Sequence, residues 1–379
     1  MPNRTLIKTF KAWVNSKPHS KCDLVEISAE KIDNQVKIFF GEEEISISFE
    51  NCSVPDPLLD DYALWVCLPI AMAKGCDVHV KGVGSTESIK NAERLSDIWS
   101  AWLPSKYSLI NVNFSEINDN VAFGHQRRPL MCYSGGADST YSLINFPQNG
   151  TKPDLLTVKG MDYRLNSGDE SFQLAIKKNK HLVDSYSNER FVVSTDAYDI
   201  FRKHKIKASQ AFIFLLASVA SLFSRTHSNW ILAADHAWYQ QFEAFPYGST
   251  FATNRHFSNG LFSLETHGED VTRAEKLKSI SENKAALNAI SFCKDKSIRP
   301  ENCGVCVKCL RTKYMFLASV GQIPNSAFLN PVHPSKLKIK FSSNTGFNNS
   351  YVKDTYKTAF RNGYLHLMPE IIKEYRKIS

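Results

Sequence analysis

The chain has no apolar run long enough to cross a bilayer. The longest, AFIFLLASVASLF over 211–223, holds 13 of the 379 residues, whereas a membrane helix needs about 20. That run reads instead as a buried helix. The start, MPNRTLIKTFKAWV, is polar and lacks the apolar centre of a secretory signal, so a cytoplasmic location is expected. There is no internal repeat and no low-complexity tract, which argues against solenoids and disordered arrays. Two familiar phosphate-binding strings are also missing. Neither GxxxxGK[ST] nor GxGxxG occurs, which excludes a Walker P-loop and a Rossmann dinucleotide fingerprint.

What is present is a globular composition, 43% hydrophobic and 12% aromatic. The length exceeds one average domain, so two are expected. Charge is uneven: net −5 over 1–120, +7 over 121–325 and +6 over 326–379. The basic C-terminal segment reads as a partly helical, solvated face, and nucleic acid is not an expected partner.

Residues 1–120 read as a small α+β domain. Strands are expected at 23–29, 35–40, 43–50, 77–83 and 107–114, and helices at 56–75 (N-cap Asp56, Pro57 in the first turn, Gly75 closing it) and 86–102. From 127 the pattern becomes strand–helix alternation. PLMCYS, DLLTVKG, RFVVST, NWILAAD and LFSLET are strands. The helix over 167–186 opens on a Ser167–Glu170 capping box. Such apolar strands separated by helices indicate an α/β domain with a parallel sheet over 121–325, whose ligands bind beyond the strand carboxyl ends.

One such end carries Ser134-Gly135-Gly136-Ala137-Asp138-Ser139. The glycines let the backbone turn and approach a ligand. The following helix aims its free N–H groups at the same place, which suits an anion. Ser134 and Ser139 add hydroxyls, and Asp138 suits a Mg²⁺ that arrives with phosphates. Thr272 and Glu275 form a capping box, so Arg273 and Lys276 beside them are either helical surface or neutralisers of charge at phosphorus. Arg311 is open to the same two readings. Four of nine cysteines, Cys293, Cys303, Cys306 and Cys309, are spaced C-x9-C-x2-C-x2-C. With disulfides not expected, this array suits a structural tetrahedral Zn²⁺, with an Fe–S cluster as the alternative. Cys22, Cys52, Cys67, Cys76 and Cys132 read as core packing.

The string SGGxDS after a strand resembles the signature of the PP-loop ATP pyrophosphatases (adenine nucleotide alpha hydrolase-like fold). With the cysteine array it resembles the 7-cyano-7-deazaguanine synthase (QueC-like) family over about 127–320. The longer, two-domain form is similar to QueC-like proteins of bacterial anti-phage operons. The first cysteine gap is one residue longer than in that family. The family's Tyr-Gly-Gln stretch is replaced by Asp162-Tyr163-Arg164, and its Tyr-Pro-Asp-Cys string is absent.

The resemblance implies an ATP site of Tyr133, Ser134, Gly135, Gly136, Asp138, Ser139, Val158, Gly160 and Asp162. It implies substrate contacts at Asp235, His236 and Tyr239, and catalytic roles for Asp138, Arg273 and Lys276. It further implies a ligase that splits ATP to AMP and pyrophosphate to activate 7-carboxy-7-deazaguanine. The acceptor would be ammonia or the amine of an operon partner protein docked on residues 1–120, and a homodimer is among the expectations. A tRNA-thiolating enzyme is the first alternative, set back by the lack of a spare cysteine beyond the loop. A non-catalytic ATP-binding scaffold is the second, set back by the intact SGGxDS.

Overall fold

A computed structural model describes residues 22–121, 127–147, 151–243, 245–331, 337 and 346–378. The polar start, the side chain of Cys22 and much of 332–345 lie outside the described residues. The chain is α/β. In order it runs β1 (Cys22–Ile32), β2 (Gln35–Phe40), β3 (Glu43–Phe49), α1 (Asp61–Lys74), β4 (Cys76–Gly84), α2 (Thr86–Trp102), β5 (Val112–Ile117), β6 (Arg128–Cys132), α3 (Ala137–Asn145) and β7 (Asp154–Lys159). It continues through α4 (Asp169–Tyr186), β8 (Arg190–Thr195), α5 (Ala197–Lys203), α6 (Ala208–Ser221), β9 (His227–Ala233), β10 (Leu264–His267), α7 (Arg273–Glu282), α8 (Lys284–Ala289), α9 (Val307–Val320), α10 (Gly346–Arg361) and α11 (Pro369–Ile378). No described helix is long and apolar enough to cross a membrane.

Two compact units form, and neither is continuous in sequence. The first gathers 1–129, 193–230 and 248–265, and the second 130–192, 231–247 and 266–379. In the first, β1, β2 and β3 pair antiparallel, while β4 runs parallel to both β1 and β5. Alternation decides which face is inside: Val36, Ile38 and Phe40 of β2 and Ile45 and Ile47 of β3 are fully buried. Helix α1 is apolar nearly all round and packs on α6, the 211–223 run.

The second unit has the order β9-β6-β7-β8, with β6 parallel to β7 and Met131 opposite Leu155. The next two strands in sequence, β7 and β8, fall on one side of β6, and the two after them, β9 and β10, on the other. The loop after β6 therefore sits where the strand order reverses, the place where open α/β sheets bind ligands. Met131, Leu155, Leu143, Leu182, Leu277 and Phe316 share one core beneath it.

Some local expectations shift. Helix α1 starts at Asp61, not near Asp56, because the Asp60 carboxylate accepts from Val83 N–H (2.8 Å) and holds the preceding turn. Gly75 does close it, at φ 70°. The capping box at Ser167 does not form: Gly168 occupies the N-cap, with no side-chain cap. The strand expected over 107–114 is found later and shorter as β5, and that over 261–266 later and shorter as β10. Cys67, Cys76 and Cys132 are buried and Cys52 is half-buried. The β1–β4 register sets the Cα of Cys22 opposite that of Cys76, and Cys76 is disulfide-bonded, contrary to expectation.

Candidate functional site

Strand β6 delivers buried Leu130, Met131 and Cys132 to the core and then turns out into the glycine loop. Gly135 turns it at φ 73°, and Gly136 is the N-cap of α3. The serines tie the loop to itself. The Ser134 hydroxyl accepts from Gly136 N–H (3.3 Å) and lies 3.1 Å from the Ser139 hydroxyl. Ser291 N–H donates to the Gly135 carbonyl (2.9 Å), fixing the loop from below. A Cβ at Gly135 would lie 3.1 Å from Asn179 Nδ2. Gly135→Ala is therefore expected to lower stability by about 1–2 kcal/mol, the left-handed penalty, as read by urea unfolding.

Asp138, in the first turn of α3, meets two cations from the first turn of α7. Arg273 grips both its oxygens, with Nε to Oδ1 at 3.1 Å and Nη2 on Oδ2. Lys276 Nζ is 3.7 Å from Oδ1 and donates to the Ala234 carbonyl at 2.6 Å. Arg273 also lies 3.5 Å from Asp235, whose other oxygen accepts from the Tyr247 hydroxyl at 2.8 Å. Asp235 and His236 leave the end of β9, so the two strand ends flanking the reversal converge on one ionic network. The Thr272–Glu275 capping box is present, so helical and functional roles coexist there.

Burial and the Asp138 charge raise the Asp235 pKa, against the pull of Arg273. Burial lowers the Lys276 pKa, with Asp138 opposing. Burial works against Arg273 too, yet Asp138, Tyr351 and Asp235 raise its pKa above the ordinary value. His236, 3% exposed between Tyr247 and Tyr351, is pushed down to about 3 by burial and by Arg273. The unfolded chain thus takes up a proton near pH 6.5 that the folded chain refuses until about 3. This group's contribution to stability is lost as pH falls through that window. His236→Gln is expected to flatten the pH dependence by up to about 1.4 kcal/mol per pH unit between pH 6 and 4, as measured by denaturant titration at several pH values.

The remaining expected residues are dispersed. Tyr133 is buried, its hydroxyl 3.5 Å from Thr140 Oγ1. Val158 is half-buried near the end of β7, and Gly160 turns the chain at φ 104°. Asp162 is exposed and pairs with Arg299 (3.3 Å). Tyr239 is 48% exposed, and Lys357 lies over its ring. Three further members went unread in the sequence: Tyr247, Tyr351 and Lys308. Burial lowers the Lys308 pKa, with Asp162 opposing and Arg299, Arg273 and Arg311 adding to the depression. None has a local signal, because only the fold brings it there.

The four cysteines converge. Their sulfurs all lie within 4.8 Å of one another, with Cys293–Cys306 and Cys303–Cys309 each at 3.8 Å. A tetrahedral ion with 2.3 Å Zn–S bonds sets sulfurs about 3.8 Å apart. Val305 and Cys306 amides donate to the Cys303 sulfur (3.4 and 3.3 Å), and Arg299 Nε fixes the Cys293 carbonyl (2.8 Å). The set could hold a metal ion and suits structural zinc. The extra residue in the first gap does not keep Cys293 from the cluster.

Asp138 has both oxygens engaged by cationic side chains, so it could hold Mg²⁺ only by exchange. Comparison of the chain with protein-family models, curated proteins and solved structures finds no match.

Proposed function

We propose that the protein is an ATP-dependent adenylating ligase. One observation carries the reading. A glycine loop at a helix N-terminus, sited at the reversal of strand order, lies beside an ionic network of half-buried Asp138 and Arg273 and buried Lys276. The amides of the helix N-terminus and the two cations beside it suit a polyphosphate, and cations held in place by neighbours can stabilise charge that develops at phosphorus.

In the proposed reaction a carboxylate oxygen attacks the α-phosphorus of ATP, and pyrophosphate leaves from the loop. The acyl adenylate then has AMP as its leaving group, so an amine can form an amide. With ammonia, a second adenylation on the amide oxygen followed by loss of AMP gives a nitrile. No side-chain nucleophile is needed. Mg²⁺ would accompany ATP, and the cysteine cluster would brace the loop through the Ser291 segment. The resemblance in the sequence supplies the acid, 7-carboxy-7-deazaguanine, and the choice of ammonia or a partner protein's amine.

The test is incubation with Mg-ATP and that acid, with and without ammonium. AMP and pyrophosphate are quantified, and products are read by mass spectrometry. Acid-dependent AMP release is the expected result. ATP binding with no AMP under any condition would favour the non-catalytic scaffold.

A further inference from the structure

Helix α10 lies beyond the stretch that carries the resemblance, in the segment whose charge reads as a solvated face. Its inner side nonetheless reaches the ionic site. Tyr351, 3% exposed, has its ring centroid 5.3 Å from the Arg273 guanidinium and 4.5 Å from that of Arg311. Asp354, 1% exposed, accepts from Ala274 N–H (3.5 Å) in the first turn of α7 and from the Thr358 hydroxyl (3.2 Å). Lys353 pairs with Glu243 at 2.8 Å, and Lys357 sits 5.5 Å over the Tyr239 ring.

Two half-buried guanidiniums repel each other. An aromatic ring in contact with both offers each a negative π-face and restrains where each can go. A carboxylate at the start of α7 fixes the turn from which Arg273 and Lys276 project, and complements that helix end. We propose that Tyr351 and Asp354 are positioning residues of the site. The ring sets Arg273 and Arg311 as two arms around a diphosphate group, and Asp354 anchors the helix that carries one arm. The proposal rests on the adenylating reading and adds the C-terminal helix to the site. The diphosphate is that of a nucleoside triphosphate or of free pyrophosphate.

Calorimetry on the full chain with ATP, pyrophosphate and AMP separates these sources and tests the roles. Tyr351→Phe keeps the ring and is expected to bind all three within about twofold of the parent. Tyr351→Leu keeps apolar bulk without the ring and is expected to lose about tenfold for ATP and pyrophosphate, with AMP unchanged. Asp354→Asn, nearly isosteric, is expected to lose about threefold for the same two ligands. It decides the matter if the leucine variant does not fold. Parent-like pyrophosphate affinity in folded Tyr351→Leu and Asp354→Asn overturns the proposal. Equal losses for AMP and pyrophosphate also overturn it, because they mark general disturbance. A parent protein that binds neither ATP nor pyrophosphate overturns this proposal and the adenylating reading together.

Discussion

Asp138→Ala is expected to abolish acid-dependent AMP formation, with a loss of at least about 100-fold, and to destabilise the chain by about 3 kcal/mol. Both effects have one cause. The carboxylate, with 14% of its side chain exposed, is the shared counter-ion of Arg273 and Lys276. Removing it leaves buried Lys276 and half-buried Arg273 without their shared counter-ion, and Lys276, already depressed by burial, loses the charge that opposes deprotonation. Asp138→Asn separates the effects: it keeps the shape and some hydrogen bonding but not the charge. AMP yield by chromatography and urea unfolding of both variants are the measurements. Undiminished AMP release by folded Asp138→Ala would remove this residue from the chemistry. Arg273→Lys is not a mild change, because a single ammonium cannot reproduce the two-pronged grip on Asp138.

Metal removal is expected to have the second large effect. A zinc ion held by four thiolates contributes about 10–16 kcal/mol to folding in small finger peptides. Here part of the surrounding core, including Met315 and Phe316, would persist without it. Exhaustive chelation should still lower the melting temperature by about 10 °C, equivalent to a few kcal/mol in a unit of this size. Cys303→Ser should act likewise, since the Cys303 sulfur accepts from the amides of Val305 and Cys306. Elemental analysis should find one metal per chain in the parent and much less in the variant. A parent that purifies metal-free, with four titratable thiols and an unchanged melting temperature, would reduce the cluster to packed cysteines.

What the sequence reveals is what depends on neighbours a few residues away. The strand over 35–40, the helix over 86–102 and the Thr272 capping box form where spacing and capping chemistry place them. The C-x2-C-x2-C run is equally local: a bend and the first turn of α9 bring its sulfurs together. The errors are cases where a local signal lost to a tertiary one. Pro57 marks a plausible helix start, but Asp60 is claimed by Val83 of strand β4. Ser167 has the capping partner it needs in Glu170, yet the chain turns at Gly168.

The site divides along the same line. The glycine loop, Asp138, Arg273 and Lys276 were readable from short strings, whereas Tyr247, Tyr351 and Asp354 carry no motif and are 109, 213 and 216 positions from Asp138. Nor could spacing reveal that 193–230 groups with the first 129 residues, since that depends on α1 finding α6.

The grip of Arg273 on Asp138 also bears on which anions can enter. An arriving phosphate does not meet a vacant cation; it must expel a carboxylate already seated there. Net affinity is then the difference between two oxyanions competing for one guanidinium. A lone phosphate offers little beyond what it displaces. A chain of phosphates reaching Arg273, Lys276 and Arg311 together offers much more. On the adenylating reading, the seated carboxylate is a competitor that favours ligands with several charged groups in a row over a single phosphate.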